Sequence, residues 1–348
     1  MSQKSEKLGI GIVGCGVISY QHAQSILDTE NAKLIAASSR TEKNRKKFSK
    51  RFKIPMHAEY GEMLKRDGLQ AVSICTPSGT HLEYGIKAAE AGKHVIVEKP
   101  IDVSVERGQK LVEACEKNNV KLAVIYQNRY SNAVLKLKDA VHSGKIGKPV
   151  MARGSVKWYR DQGYYMNSGW RGTLDLDGGG ALINQSIHTL DLLTWILGDL
   201  MTVFGLKATV THPGIEAEDN LVASLKFENG ALGLFEASTS IIPAQPRTIE
   251  INGSKGTALL KGNEFMLSFD EEEYSENAKK DEVNFHTKQF REIVDAILNN
   301  EQPPVSGMEA LQSLAAVEAI YDSCRKHSAI NPSTYISEEF QLSKSSST

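Results

Sequence analysis

The stretch Leu8-Gly9-Ile10-Gly11-Ile12-Val13-Gly14-Cys15-Gly16-Val17-Ile18-Ser19 decides how the chain folds. Leu8 to Val13 reads as a strand, the two glycines follow at once, and a helix runs from about Ser19 to Leu27. In this setting a glycine-rich turn holds a dinucleotide. Gly14 permits the tight turn. Gly16 lets the backbone approach a diphosphate, which then meets the helix N-terminus, with Val17 and Ile18 between the turn and the helix. The third glycine of the full pattern is replaced by Ser19, so the turn alone also reads as an ordinary strand–helix junction. Both flanking elements sit where the dinucleotide reading requires them.

Outward from this turn, strands alternate with helices. Lys33 to Ser38 is a second strand. It ends Ser38-Ser39-Arg40-Thr41, where an acidic residue ordinarily holds the ribose hydroxyls of NAD. Ser39 and Arg40 suit a 2′-phosphate better, because a guanidinium pairs with phosphate in bidentate fashion. Arg40 also fits as the start of the solvated basic face Lys43, Arg45, Lys46, Lys47, so NADP is favoured only slightly over NAD. Further strands are expected at Leu69–Thr76, His94–Val97 and Lys121–Tyr126, with helices at His81–Ala91 and Val105–Lys117. This order implies a doubly wound parallel sheet.

Near residue 128 the pattern changes. A helix over 132–142 leads to strand-like segments at 150–159, 201–210, 221–227, 231–240, 248–252 and 257–261. Glu228-Asn229-Gly230 reads as a hairpin turn. The fold class is therefore α/β: a Rossmann domain over 1–128, then a domain over 129–348 with a large, mostly antiparallel open sheet. One face of that sheet is left for a partner subunit, which predicts a homodimer or homotetramer. Asp270-Glu271-Glu272-Glu273 reads as a charged surface loop rather than a metal site. A helix at Ser306–Cys324 reads as packing, and Ser343–Thr348 as a polar tail.

Composition narrows the function classes. Of 348 residues, 41% are hydrophobic and 24% charged, with a formal net charge of -1, so no global field draws nucleic acid or an anionic membrane. No apolar run reaches membrane-spanning length. Met1–Lys7 is polar and runs into a strand, so no signal peptide is read. The four cysteines, Cys15, Cys75, Cys115 and Cys324, match neither a zinc spacing nor a disulfide framework, and the reading is a reduced, cytoplasmic protein with no metal site.

Two further stretches carry chemistry. Val97-Glu98-Lys99-Pro100 ends a buried strand, at the edge where ligands of open α/β sheets collect. By itself it reads equally as a solvated Glu-Lys pair. Downstream, Asp177-Gly178-Gly179-Gly180 precedes a helix whose apolar stripe is Ile183, Ile187, Leu190, Leu193 and Leu197. Asn184, His188, Asp191 and Trp195 lie on a neighbouring stripe. His188 reads either as a core histidine held by Asp191 or as a general base at a cleft. The glycines favour the second reading, since they let a group approach the helix start. Between the halves, Lys157-Trp158-Tyr159-Arg160, Tyr164-Tyr165 and Trp170-Arg171-Gly172-Thr173 gather aromatics and arginines in a chain only 7% aromatic, which suits a sugar or polyol or else loop packing.

Together Gly14-Cys15-Gly16, Thr76-Pro77 with His81, Glu98-Lys99-Pro100, and Gly178-Gly179-Gly180 with His188 and Asp191 resemble the Gfo/Idh/MocA oxidoreductases, from about Leu8 to about Ile330. The resemblance implies hydride transfer between a nicotinamide cofactor, NAD(P)(H), and a secondary alcohol or ketone of a sugar, inositol or nucleotide sugar. It implies Lys99 and His188 as the catalytic pair. The cofactor-binding set is Gly14, Gly16, Val17, Ile18, Ser39, Arg40, Thr76, Pro77, His81, Glu98, Lys99 and Asn128. Lys99, Tyr164, Trp170, Arg171, Asn184 and His188 form the substrate set. One departure stands out: many members carry aspartate four residues before the histidine, whereas this chain has Asn184, which cannot relay a proton. With the Tyr-Tyr and Trp-Arg-Gly-Thr stretches, this looks more like the UDP-N-acetylglucosaminuronate-type 3-dehydrogenases. The alternatives are a cofactor-binding redox sensor, which needs neither Lys99 nor His188, and an enzyme that recycles NAD while modifying glycosides.

Overall fold

The computed structural model describes residues 7–269, 272–276 and 281–336. They fall into two compact units: residues 7–102, Glu106–Gln127 and Glu282–Ala310 form the first, and Val103–Val105 with the described residues of 128–281 and 311–336 the second.

The first unit begins β1 (Leu8–Val13), α1 (Val17–Leu27), β2 (Ala32–Ser38), α2 (Glu42–Phe52), β3 (Met56–His57), α3 (Tyr60–Leu64) and β4 (Ala71–Ile74). It continues α4 (His81–Glu90), β5 (His94–Val97), α5 (Val105–Lys117) and β6 (Leu122–Val124). The six strands run parallel in the order β3-β2-β1-β4-β5-β6, the doubly wound arrangement that the alternation predicts. The order in which successive strands are added reverses between β1 and β4, so the crevice for a ligand lies at their carboxyl ends. Every residue of β1, β4 and β6 is buried, because helices cover both faces of a parallel sheet.

The second unit contains α6 (Asn132–His142), β7 (Pro149–Lys157), α7 (Gln162–Met166), a π-helical turn at Ala181–Ser186 and α8 (Ile187–Leu197). The strands β8 (Leu200–Ala208), β9 (Asn220–Phe227), β10 (Leu232–Ser238), β11 (Thr248–Gly253), β12 (Thr257–Lys261), β13 (Glu264–Phe269) and β14 (Glu272–Glu276) follow. They form one sheet in the order β14-β13-β12-β11-β7-β10-β9-β8, antiparallel except where β10 meets β7. Buried and exposed residues alternate along β9 and most of β10, so one face is core and the other open. The apolar stripe Ile183, Ile187, Leu190, Leu193 and Leu197 is buried as its spacing predicts.

Three expectations need correction. α9 (Phe285–Leu298) belongs to the first unit, although the sequence boundary put all residues after 128 in the second. The cause is its apolar face: Phe290, Ile293, Val294 and Ile297 join Ile10, Ala23 and Ile26 in one core cluster. Glu272 and Glu273 lie in β14, not in a loop, because pairing with Phe269 and Ser268 of β13 outweighs their low strand propensity. Asp270 and Glu271 lie outside the described residues, as do Met1–Glu6 and Ser343–Thr348. Finally, the helix expected from Ser306 is α10 (Gly307–Lys326), and α9 before it had no sequence assignment.

Candidate active site

In the first unit the glycine turn takes the conformation its sequence requires. Gly14 has φ +87°, and a Cβ there would lie 2.7 Å from the carbonyl oxygen of Cys75, beyond the end of β4. A Cβ on Gly16 would meet nothing within 4 Å. The backbone is thus tight on one side and open on the other. Gly16 caps α1, whose first turn holds no acidic residue and no side-chain cap, leaving amides for an anion. Val17 is 86% exposed and Ile18 half-buried. Ser19, at the third glycine position, is buried and donates to the Gly16 carbonyl at 2.6 Å. These features fit the diphosphate of a dinucleotide.

At the end of β2, Ser39 is buried and Arg40 exposed. Arg45 folds back from α2 and donates to the Ser39 and Arg40 carbonyls at 2.6 and 2.8 Å. Thr76 and Pro77, half-buried, begin the turn after β4. His81 and Glu98 part from expectation as direct cofactor contacts. The His81 ring is 1% exposed, with its nitrogens 2.9 Å from the Pro100 carbonyl and 3.1 Å from that of Thr76, so it braces the turns after β4 and β5. Glu98 is 7% exposed and faces inward, its Oε1 2.7 Å from His22 Nε2. Its Oε2 accepts from the Lys99 amide at 3.0 Å. Lys99 is half-buried, two strands from the glycine turn in the same sheet.

In the second unit, the loops after β7 gather around Gln185. Its Oε1 accepts from Arg160 Nη2 at 2.7 Å, and its Nε2 donates to the Tyr164 hydroxyl at 2.7 Å and to Asn184 Oδ1. Asn184 donates in turn to Asp177. Two guanidinium groups stand over the Tyr164 ring, Arg171 4.2 Å and Arg160 5.1 Å from its centroid. Arg171 also stands over Trp170 at 5.2 Å. Tyr164, Trp170, Arg171 and Asn184 are therefore brought together in the second unit. His188 is half-buried, past the change from π-helix to α8. Asn128 sits in a short 3₁₀ turn, Gln127–Tyr130.

Two sequence arguments about this helix change. Asp191 does not serve His188: Arg129 binds it through Nε and Nη2 at 2.9 and 2.6 Å, and Ser313 donates to it at 2.8 Å. The glycines before the helix do not open it to a ligand. A Cβ on Gly180 would lie 1.9 Å from the Glu218 carbonyl, so the close approach is made by the chain itself. Sequence reasoning named Arg160 only within the aromatic and arginine loop and Arg45 only on the solvated basic face, and it missed Gln185 and the buried pair His22 and His286. A histidine on the buried face of α1, among Ser19, Ala23 and Ile26, was the available signal for His22. Nothing local marks the others.

Residues 8–126 match the family described as "Oxidoreductase family, NAD-binding Rossmann fold", and residues 134–259 match the "GFO/IDH/MocA C-terminal domain". The WlbA dehydrogenase from Bordetella pertussis, solved with NADH and UDP-GlcNAcA, is 33% identical with a TM-score of 0.84, covering 94% of this chain and 99% of that one. The Chromobacterium violaceum WlbA dehydrogenase, also solved with NADH and UDP-GlcNAcA, is 30% identical with a TM-score of 0.85 over 94% and 97% of the two chains. The myo-inositol 2-dehydrogenase of Thermotoga maritima is 28% identical over 256 residues, covering 71% of this chain and 73% of that one.

Proposed function

The chain belongs to the Gfo/Idh/MocA family of oxidoreductases, and from that premise we propose that it is an NAD(P)-dependent dehydrogenase acting on a secondary alcohol of a nucleotide sugar. The observation that carries this reading is the placement of Lys99 and the glycine turn at the carboxyl ends of β5 and β1, with only β4 between them. A dinucleotide bound at the turn runs along this edge, where Lys99 stands.

When bound, the nicotinamide supplies the hydride acceptor and, in reverse, the donor. The chain's own groups handle the oxygen and its proton. His188 takes the hydroxyl proton as general base and returns it in the reducing direction. Lys99 hydrogen-bonds the same oxygen and stabilises the negative charge that develops there. Gly14, Gly16, Val17 and Ile18 hold the diphosphate, and Thr76, Pro77 and Asn128 line the nicotinamide half. Ser39 and Arg40 take the adenosine ribose, which favours NADP slightly.

Tyr164, Trp170, Arg171 and Asn184 orient the substrate, and the double guanidinium stack on Tyr164 supports an anionic, sugar-bearing one. That choice agrees with the substrate bound in the two WlbA structures. A redox sensor finds no support among the relatives, which are named as dehydrogenases. The open sheet face supports a homodimer or homotetramer. Four free, buried cysteines support a cytoplasmic setting.

The test is a turnover panel with NAD and NADP. UDP-N-acetylglucosaminuronate should exceed myo-inositol and free xylose by about tenfold or more in kcat/KM, a 1.4 kcal/mol preference. Turnover confined to inositols would move the substrate class, and cofactor binding without any turnover would restore the sensor.

A further inference from the structure

Beneath the Lys99 turn, four elements of the first unit bring polar side chains to one buried point. α1 contributes His22, β4 and its end contribute Ser73 and Cys75, the end of β5 contributes Glu98, and α9 contributes His286. His22 is fully buried; its Nδ1 lies 2.7 Å from Ser73 Oγ and its Nε2 2.7 Å from Glu98 Oε1. Ser73 Oγ lies 3.9 Å from Cys75 Sγ. His286 Nε2 is buried 3.9 Å from Glu98 Oε1 with no hydrogen-bond partner. The ring of Phe290 closes the pocket edge-on to His22 at 5.2 Å.

We propose that His22 is a positioning residue for Lys99: its ion pair with Glu98 keeps that carboxylate charged and aimed, so that the second carboxylate oxygen grips the Lys99 amide. The inference rests on the reading of Lys99 as the group that meets the reacting oxygen. Glu98 divides its two oxygens between His22 and the Lys99 amide. A buried carboxylate persists only with a charged or strongly donating partner, and its hydrogen bonds are then short and directional. Protonating it would remove the charge that strengthens its bond to the amide, and the lysine turn would loosen. His22 also stands six residues after Gly16 on the same helix, so one side chain ties the glycine turn to the lysine turn.

The charges support this division. Burial alone would push the His22 imidazole down, but Cys75 and the Glu98 carboxylate outweigh it and raise it to about 10. Burial would push Glu98 up, but the His22 hydrogen bond and the charges of His22, His286 and Lys99 hold it at about 2. His286 is pushed down to about 4, by burial first and then by charged His22. These shifts favour an imidazolium, with both ring nitrogens protonated, at His22 and a neutral ring at His286. The same three residues, His22, Glu98 and His286, have ligand atoms within 4.8 Å of one another, as a metal site would. Ligands on a tetrahedral zinc stand about 3.3 Å apart, given bonds of roughly 2.0 Å. The 2.7 Å contact between His22 and Glu98 is instead a hydrogen bond.

The experiment combines NMR with kinetics on the full chain. The ¹⁵N shifts of the His22 ring should show an imidazolium at pH 8, and those of His286 a neutral ring at pH 6. In His22→Gln the Lys99 amide proton should move upfield, whether or not any sugar is turned over. kcat should fall about tenfold or more with cofactor affinity little changed, as expected when a catalytic group is displaced rather than lost. The kcat profile should gain an acid-side limb as Glu98 begins to titrate, and His22→Gln/Glu98→Gln should remove that limb. Should His22→Gln fail to fold, Glu98→Gln alone should shift the same amide and lower the pH at which the His22 ring loses its proton. A folded His22→Gln with unchanged Lys99 amide and unchanged kcat profile overturns the proposal. So does one equivalent of bound metal in the wild-type protein that is lost with His22→Gln. The predicted NMR shifts without turnover of any carbohydrate would leave the positioning intact and sink the dehydrogenase reading instead.

Discussion

Arg45 donates through Nη1 to the carbonyl oxygen of Ser39 at 2.6 Å, and so closes the turn at which β2 ends. Arg40, the residue that the sequence singles out, is exposed beside it. The two arginines should therefore behave differently. Arg40→Ala should weaken NADP more than NAD, because only the 2′-phosphate distinguishes them. Arg45→Ala should loosen the turn and weaken both cofactors alike. Dissociation constants for both cofactors and both variants decide the matter. An unchanged NADP/NAD ratio in Arg40→Ala would return that residue to the solvated face of α2.

Gly16 offers a cleaner separation of fold from ligand. Its Cβ position is empty and its φ is -82°, so a side chain costs the free protein little. Gly16→Val should keep the melting temperature of the cofactor-free protein. Cofactor affinity should nevertheless drop at least about tenfold, or 1.4 kcal/mol. Calorimetric titration beside a thermal melt would check both halves. Normal affinity in the folded variant would remove the diphosphate from this turn.

What the sequence made legible was local. The Asn132–His142 helix, the Glu228-Asn229-Gly230 hairpin and the buried stripe of α8 follow from periodicity and turn chemistry within a few residues. Partnerships between distant residues left no such trace. Glu98 read as a cofactor contact because it stands beside Lys99, yet its partner is His22, 76 residues away. His286 approaches from α9, far along the chain, and no local pattern announces that this helix completes the first unit. Gln185 hid for the opposite reason: it adjoins Asn184 but gains its meaning from Arg160 and Tyr164.

His286 predicts an acid-sensitive stability. Its folded-state pKa, about 4, lies below the ordinary histidine value, so the unfolded chain takes up a proton that the folded one refuses. This group therefore costs stability as pH falls from the ordinary histidine range toward about 4, by up to about 1.4 kcal/mol per pH unit. His22 acts in the opposite sense: its contribution is full below the ordinary histidine range and is lost as pH rises through about 10. His286→Gln should flatten the acid-side decline in urea-melt stability while leaving the alkaline side unchanged. An equally steep decline in that variant would assign the acid sensitivity to other groups.

The open face of the second sheet carries Phe204 and Leu206 of β8, Val222 of β9, and Leu232 and Leu234 of β10, between 38% and 53% exposed. Leu206 pairs with Val222, and both Phe204 and Leu234 pair with Ser224, so these side chains cluster on one face of three neighbouring strands. Such a patch on a folded protein marks an interface. The wild type should be a homodimer or homotetramer by light scattering at micromolar concentration. Leu234→Glu should reduce it to monomer without loss of secondary structure. A monomeric wild type would leave the patch without the proposed partner.

Lys99 and His188 should fail in different ways. A positioned acid–base group contributes about 10²–10⁴-fold, so His188→Ala should lower kcat by that order. It should also abolish the limb of the pH–rate profile that a titrating histidine produces. Lys99→Ala should lower kcat through lost charge stabilisation while keeping the histidine limb, shifted because a nearby cation is gone. The double variant should lose less than the product of the two factors, since both groups serve one oxygen. Cofactor affinity should change little in His188→Ala, because the glycine turn and the start of α1 hold the diphosphate. Near-normal turnover in His188→Ala, or fully multiplicative losses, would pass the role of base to another group, with Tyr164 the next to test because its hydroxyl already joins the Gln185 network.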